Sequence, residues 1–135
     1  MDDAMTLATA RHAIGVDIDR PFQRVLAAWL RMRAYHLRCI PLSAARSLGE
    51  SVDLIVCEIA DPKGSGRDAL RDLGVAHPGA PMIAISSRFV AGSRADTLAR
   101  QLGVGAALAK PFSRDDLYAA LDALATAHAH AHPSL

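Results

Sequence analysis

The sequence predicts an α/β fold: one doubly wound sheet of five parallel strands with helices on both faces. Three observations predict it. Short apolar runs alternate along the chain with segments of helical periodicity. The run Leu54-Ile55-Val56-Cys57 is too short for a helix and apolar at every position, as a strand covered on both faces must be. Polar or charged side chains, Asp17, Glu58, Ser86 and Lys110, follow four of the apolar runs. In open parallel sheets the carboxyl ends of the strands are the edge where ligands bind.

The elements follow in order. Residues 1–11 lack periodicity and read as a leader to a single domain over 12–126. Ala13-Ile14-Gly15-Val16-Asp17 is the first strand, ending in a carboxylate. Pro21 suits a first helical turn, and Phe22, Val25, Leu26 and Trp29 carry the helix to about Arg33. Leu37 to Ile40 is the second strand. Ser43 is a good N-cap for a short second helix ending near Gly49. The third strand, Leu54 to Cys57, ends at Glu58, and Pro62 to Gly66 form its loop. The third helix spans about Arg67 to Leu73, with Leu70 and Leu73 inward and Gly74 as its stop. Met82 to Ile85 is the fourth strand, with Ser86-Ser87 after it. The fourth helix lies within Gly92 to Leu102, and Gly103 ends it. Ala106 to Ala109 is the fifth strand, closed by Lys110-Pro111-Phe112. Ser113 and Asp116 form a box-like N-cap for the fifth helix, which buries Leu117, Leu121 and Leu124. The tail, 127–135, is rich in Ala and His and is expected to fray.

Right-handed crossovers and the doubly wound strand order 2-1-3-4-5 put the first and last helices on one face and the other three on the opposite face. Composition excludes several classes. Hydrophobic residues make up 51% of the chain, too many for a disordered protein. A net charge of +1 with scattered basic residues argues against a nucleic-acid partner. No apolar run is long enough to cross a bilayer, and the start Met1-Asp2-Asp3 is acidic where a secretory signal is basic, so a cytoplasmic location is expected. Cys39 and Cys57 fall in strands without metal spacing and read as free thiols.

In that strand order Asp17, Glu58, Ser86 and Lys110 converge on one crevice. Two carboxylates brought together need a compensating cation, and Lys110 supplies one. Plainer readings stand beside this. Glu58 fits a solvated strand end, Lys110 a purely structural partner of a carboxylate, and Ser86 a turn residue. Leu26 and Trp29 are core. His128, His130 and His132 fit a solvated tail better than a weak metal site.

These pieces resemble the receiver domain of two-component response regulators over about residues 12–126. The resemblance rests on Val16-Asp17 with Ile18-Asp19, on Asp53 to Glu58 and the loop to Gly64, on Ser86-Ser87 and on Lys110-Pro111-Phe112. It implies a phosphoacceptor position at Glu58, phosphoryl-contacting positions at Ser86 and Lys110, and metal positions at Asp17, Asp19 and Ala60. It also implies switch positions at Ser86 and Ala107 and a cis Lys110–Pro111 peptide. The partners it implies are a histidine kinase or a downstream effector, met through the fourth helix, fifth strand and fifth helix. That face, with Arg94 and Arg100, also suits a homodimer.

The chain departs from the pattern at three places. Glu58 replaces the acceptor aspartate. A glutamate carboxylate sits about 1.5 Å further from the backbone, one C–C bond. Ile18 stands where a second acid is usual, which removes a ligand from an ion that demands near-ideal octahedral oxygen geometry and sets an apolar group beside the site. Asp19 either substitutes for that ligand or caps the first helix, the local pattern favouring the cap. Ala107 replaces the usual switch aromatic. The reading that follows is a stand-alone, atypical receiver acting through protein–protein interaction, with no enzymatic activity, no required cofactor and only weak Mg²⁺ binding. The alternatives are a working phosphoacceptor in a phosphorelay and, more remotely, a small flavodoxin-like enzyme or FMN carrier. The last would need a phosphate-cradling loop after the first strand, where this chain has Asp17 and Asp19.

Overall fold

The computed structural model describes residues 10–89 and 95–131, with side chains over 10–89 and 96–127. Of the leader, 1–9 lie outside it, as do the expected start of the fourth helix at Gly92, Arg94, and tail residues 132–135. The elements are β1 (Arg11–Val16), α1 (Arg20–Arg31), β2 (Tyr35–Ile40), α2 (Leu42–Arg46), β3 (Leu54–Glu58), α3 (Ser65–Ala76), β4 (Met82–Ser86), α4 (Ala95–Leu102), β5 (Ala106–Ala109) and α5 (Arg114–Ala131). The strands form one parallel sheet in the order β2-β1-β3-β4-β5.

The core has two layers, one on each side of the sheet, as the alternation of strand side chains requires. On one side Leu26 and Leu30 of α1 and Leu117, Leu121 and Leu124 of α5 pack on Ala13, Leu54, Val56, Ile83 and Ile85. On the other, Ala45 of α2, Leu70 and Leu73 of α3 and Ala99 of α4 pack on Ile14, Val16, Ile55, Cys57 and Ala84. The helices divide between the faces as the crossover rule demands. Leu54, Ile55 and Val56 are fully buried, which is why β3 reads as an unbroken apolar run.

Several boundaries differ from expectation. β1 and β2 begin earlier because Arg11 pairs with Tyr35 and His12 with His36; these polar residues continue the ladder beyond the apolar runs. Ser43 lies inside α2 and does not cap it. The residue at the cap is Pro41, and the Leu42 N–H donates to Asp17 Oδ1 at 3.1 Å, so a carboxylate from the β1 loop caps this helix from a distance. Gly74 does not stop α3, which starts at Ser65 and runs to Ala76. One glycine costs a helix interior about 1 kcal/mol, less than the packing of Leu70 and Leu73 returns. Asp19 occupies the N-cap of α1, but its side chain makes no capping bond. Gly103 does end α4, at φ +74°. The box at α5 closes in both directions: Asp116 N–H donates to Ser113 Oγ at 3.0 Å and Ser113 N–H to Asp116 Oδ2 at 2.9 Å. α5 continues through Ala131, past the expected end of regular structure, with alanine, the best helix former, at every second position from Ala123 to Ala131.

Two glycines of α3 make opposite predictions. A Cβ on Gly66 would lie 2.3 Å from the Asp61 carbonyl oxygen and 2.8 Å from Ile59 Cβ, whereas one on Gly74 meets nothing within 4 Å. Urea denaturation should show Gly66→Ala losing about 1–3 kcal/mol of stability and Gly74→Ala gaining about 0.5–1 kcal/mol.

Candidate functional site

The carboxyl ends of β1, β3 and β4 open onto a cavity of about 540 Å³. Asp17, Asp19 and Glu58 bring three carboxylates to it, and Leu42, Ala60, Ser65, Gly66 and Ser87 complete much of the wall. Parallel strands place these groups side by side: Val16 is level with Cys57, and Glu58 with Ile85.

Glu58 is the centre of the arrangement. Lys110 Nζ donates to Glu58 Oε2 at 2.8 Å, and the backbone N–H of Asp19 donates to Glu58 Oε1 at 2.7 Å. The side chains of the ion pair are each 20% exposed, so solvent screens it only partly. Glu58 is thus not a solvated strand end; both its oxygens have protein donors. Lys110 is also backed by aromatic rings, its Nζ lying 5.2 Å from the Phe22 ring centroid, and Phe22 meets Phe112 edge-on at 5.4 Å. The Lys110–Pro111 peptide is cis, and the Lys110 N–H donates to the Ser86 carbonyl at 2.9 Å.

The other residues singled out in the sequence behave differently. Asp17 stands at φ +56°, a left-handed conformation that Asp tolerates better than most residues, and its Oδ1 is engaged by the Leu42 N–H. Asp19 reaches Glu58 through its backbone and lines the cavity with its side chain. Ile18 is a correction: it does not set an apolar group beside the site but is buried with Leu26 and Leu30 between the sheet and the α1–α5 layer. Ser86 is fully buried, and its Oγ accepts the Arg88 N–H at 3.0 Å, the local turn contact that a serine there favours. Its exposed neighbour Ser87 lines the cavity instead. Ala107 is buried under α4, in the layer that holds Ala84 and Ala99. Among the described residues, no three His, Cys, Asp or Glu side chains are placed to hold a metal ion together. None of the described helices is long and apolar enough to cross a membrane.

Cys57 registers the charge at this edge. Burial pushes its thiol up to about 12, with the Asp17 and Glu58 carboxylates adding to the rise. Sequence reasoning missed Phe22 as the backing of Lys110 and Leu42 and Ser65–Gly66 as cavity walls. Phe22 carries no signal beyond helical spacing, and the wall residues come together only once the loops after β2 and β3 are folded.

No family model matches the sequence, and no curated protein matches it. Solved structures match the fold. The chain superposes on a CheY-like response regulator receiver domain protein from Methanospirillum hungatei with a TM-score of 0.70 at 17% identity, covering 92% of this chain and 100% of that one. It superposes on the non-phosphorylated HemR receiver domain from Leptospira biflexa with a TM-score of 0.66 at 20% identity, covering 84% and 93%. A response regulator from Burkholderia pseudomallei, with a phosphorylated aspartic acid, calcium ion and citrate, matches with a TM-score of 0.64 at 22% identity, covering 93% and 76%. The chain therefore has the flavodoxin-like fold of CheY-like receiver domains.

The ion pair and the thiol make separate predictions. Lys110→Met leaves the Glu58 carboxylate without its cation and should cost about 1–3 kcal/mol in chemical denaturation, with Glu58→Met/Lys110→Met recovering part of the loss. Cys57 should resist iodoacetamide in the native protein at pH 8 and react once urea unfolds it, as read by peptide mass spectrometry. Because folding raises this thiol from 9.0 to about 12, its stabilising contribution is present below pH 9 and is lost as pH rises toward 12.

Proposed function

We propose that this chain is a receiver-type signalling module of a two-component pathway that works through protein–protein contact and is not switched by phosphorylation. The observation that carries the reading is the Glu58 carboxylate held between the Asp19 N–H and the Lys110 ammonium. In a receiver, the acceptor oxygen must be free to attack a phosphoryl group, and the lysine must be free to meet the phosphoryl oxygens. Here one carboxylate occupies both donors. Its negative charge stands permanently next to Lys110, and no ligand is needed to put it there. A two-state switch responds only to a ligand that favours one state over the other, and a built-in charge removes much of that difference.

The metal side of the reading has the same support. An octahedral Mg²⁺ site needs carboxylate oxygens free to turn inward. Asp17 Oδ1 is spent on Leu42, and both Glu58 oxygens have donors. Weak Mg²⁺ binding is therefore part of the proposal. The protein acts in the cytoplasm, without catalytic turnover, on a histidine kinase or an effector. The face of α4, β5 and α5 meets the partner, with the small Ala107 fixed in place of a moving aromatic.

The test is intact-mass spectrometry after incubation with acetyl phosphate and Mg²⁺. The expected spectrum shows no phosphoryl adduct, for the native protein and for Glu58→Asp alike. An adduct that maps to Glu58 and disappears in Glu58→Ala would reinstate the phosphorelay reading.

A further inference from the structure

At the opposite edge of the sheet, far along the strands from Glu58, two histidines stand side by side. His12 of β1 and His36 of β2 are Cα partners in the parallel ladder, so their side chains leave the same face of the sheet at one level. That face is the one covered by α2, α3 and α4, since His12 shares its parity with Ile14 and Val16 of that layer. α2 is only five residues long and leaves the amino-terminal ends of β1 and β2 open. Both histidines are exposed, and both line a cavity of about 160 Å³ together with Arg38 and Glu50. Among the described residues neither imidazole makes a hydrogen bond or an ion pair.

We propose that His12 and His36 form a two-imidazole site for a late first-row divalent cation such as Zn²⁺, with water filling the remaining positions. Neighbouring strands lie about 4.8 Å apart. Two nitrogens on one zinc, each at about 2.0–2.1 Å, are roughly 3–3.5 Å apart, so the rings need to lean together by about 1.3–1.8 Å. Neutral imidazole is a good ligand for Zn²⁺, Ni²⁺ and Cu²⁺, whereas Mg²⁺ prefers oxygen.

The backbone under the pair is held firmly. His12 N–H donates to Asp53 Oδ2 at 2.7 Å, and Asp53 N–H donates back to the His12 carbonyl at 2.7 Å. The nearest competing cation is already matched, with Arg38 Nη2 on Glu50 Oε1 at 3.0 Å. His77, the buried histidine of the adjoining loop, is committed to the Ala45 carbonyl at 2.8 Å and is not a ligand. Two protein ligands make an open site, weaker than the closed four-ligand sites that hold structural zinc. The site is independent of the carboxylate cavity, and its existence does not depend on the signalling role.

The test is a Zn²⁺ titration of the full chain carrying His128→Ala, His130→Ala and His132→Ala, which removes the tail imidazoles from competition. Calorimetry gives the affinity, and imidazole ¹H–¹⁵N spectra give the ligands. The expected result is one saturable site, shifts confined to His12 and His36, and at least about tenfold weaker binding in both His12→Ala and His36→Ala. Circular dichroism checks that these exposed positions tolerate the change. Absence of saturable binding at millimolar Zn²⁺ overturns the proposal. So does binding that survives either single substitution in a folded variant, or shifts that fall on His77.

Discussion

A carboxylate that is only 20% exposed needs a cation, and at the edge of this sheet Lys110 is the cation that Glu58 has. The rest of the site follows from that need. Strand order brings the end of β5 toward the end of β3 across β4, and the Lys110 N–H on the Ser86 carbonyl continues the β4–β5 pairing by one residue. The rings of Phe22, Phe112 and Trp29 pack against each other beside the lysine. A long charged side chain is entropically costly to hold in one place, and an aromatic wall limits the alternatives.

The two aspartates at this edge are handled differently. Asp17 turns away to cap α2, at the expense of a left-handed backbone. Asp19 offers its backbone N–H to Glu58. The loop after β1 therefore ties together α2, the first turn of α1 and the end of β3. Cys57, just behind these groups, is kept as a neutral thiol by burial and by the two nearby negative charges. The packing behind the site would resist a change in charge as much as a change in shape.

Much of the architecture was legible in the sequence. β3, β4 and β5 are short apolar runs, and a run apolar on both faces belongs inside a parallel sheet. Leu117, Leu121 and Leu124 show the helical period of α5, and Ser113 with Asp116 marks its start. The misreadings came where a local preference met a stronger tertiary term. Ser43 has the chemistry of a cap, but Asp17, distant in sequence, reaches Leu42 first. Gly74 has the chemistry of a stop, but Leu70 and Leu73 hold the helix through it. The polar starts of β1 and β2 are invisible to an apolar search because an exposed sheet end needs only backbone pairing.

For the site, the sequence by itself determined which residue types arrive at the carboxyl ends of which strands: Asp17, Glu58, Ser86 and Lys110. That much follows from strand periodicity and a single chain order, both local properties. Only the tertiary structure decided what each side chain does there. It paired Glu58 with Lys110, turned Asp17 to α2, sank Ile18 into the α1–α5 layer and engaged the Ser86 hydroxyl in its own turn. The physical reason is range. Periodicity specifies which way a side chain leaves the backbone, but a charge or a hydroxyl binds whichever partner lies within about 3 Å, and chain folding chooses that partner.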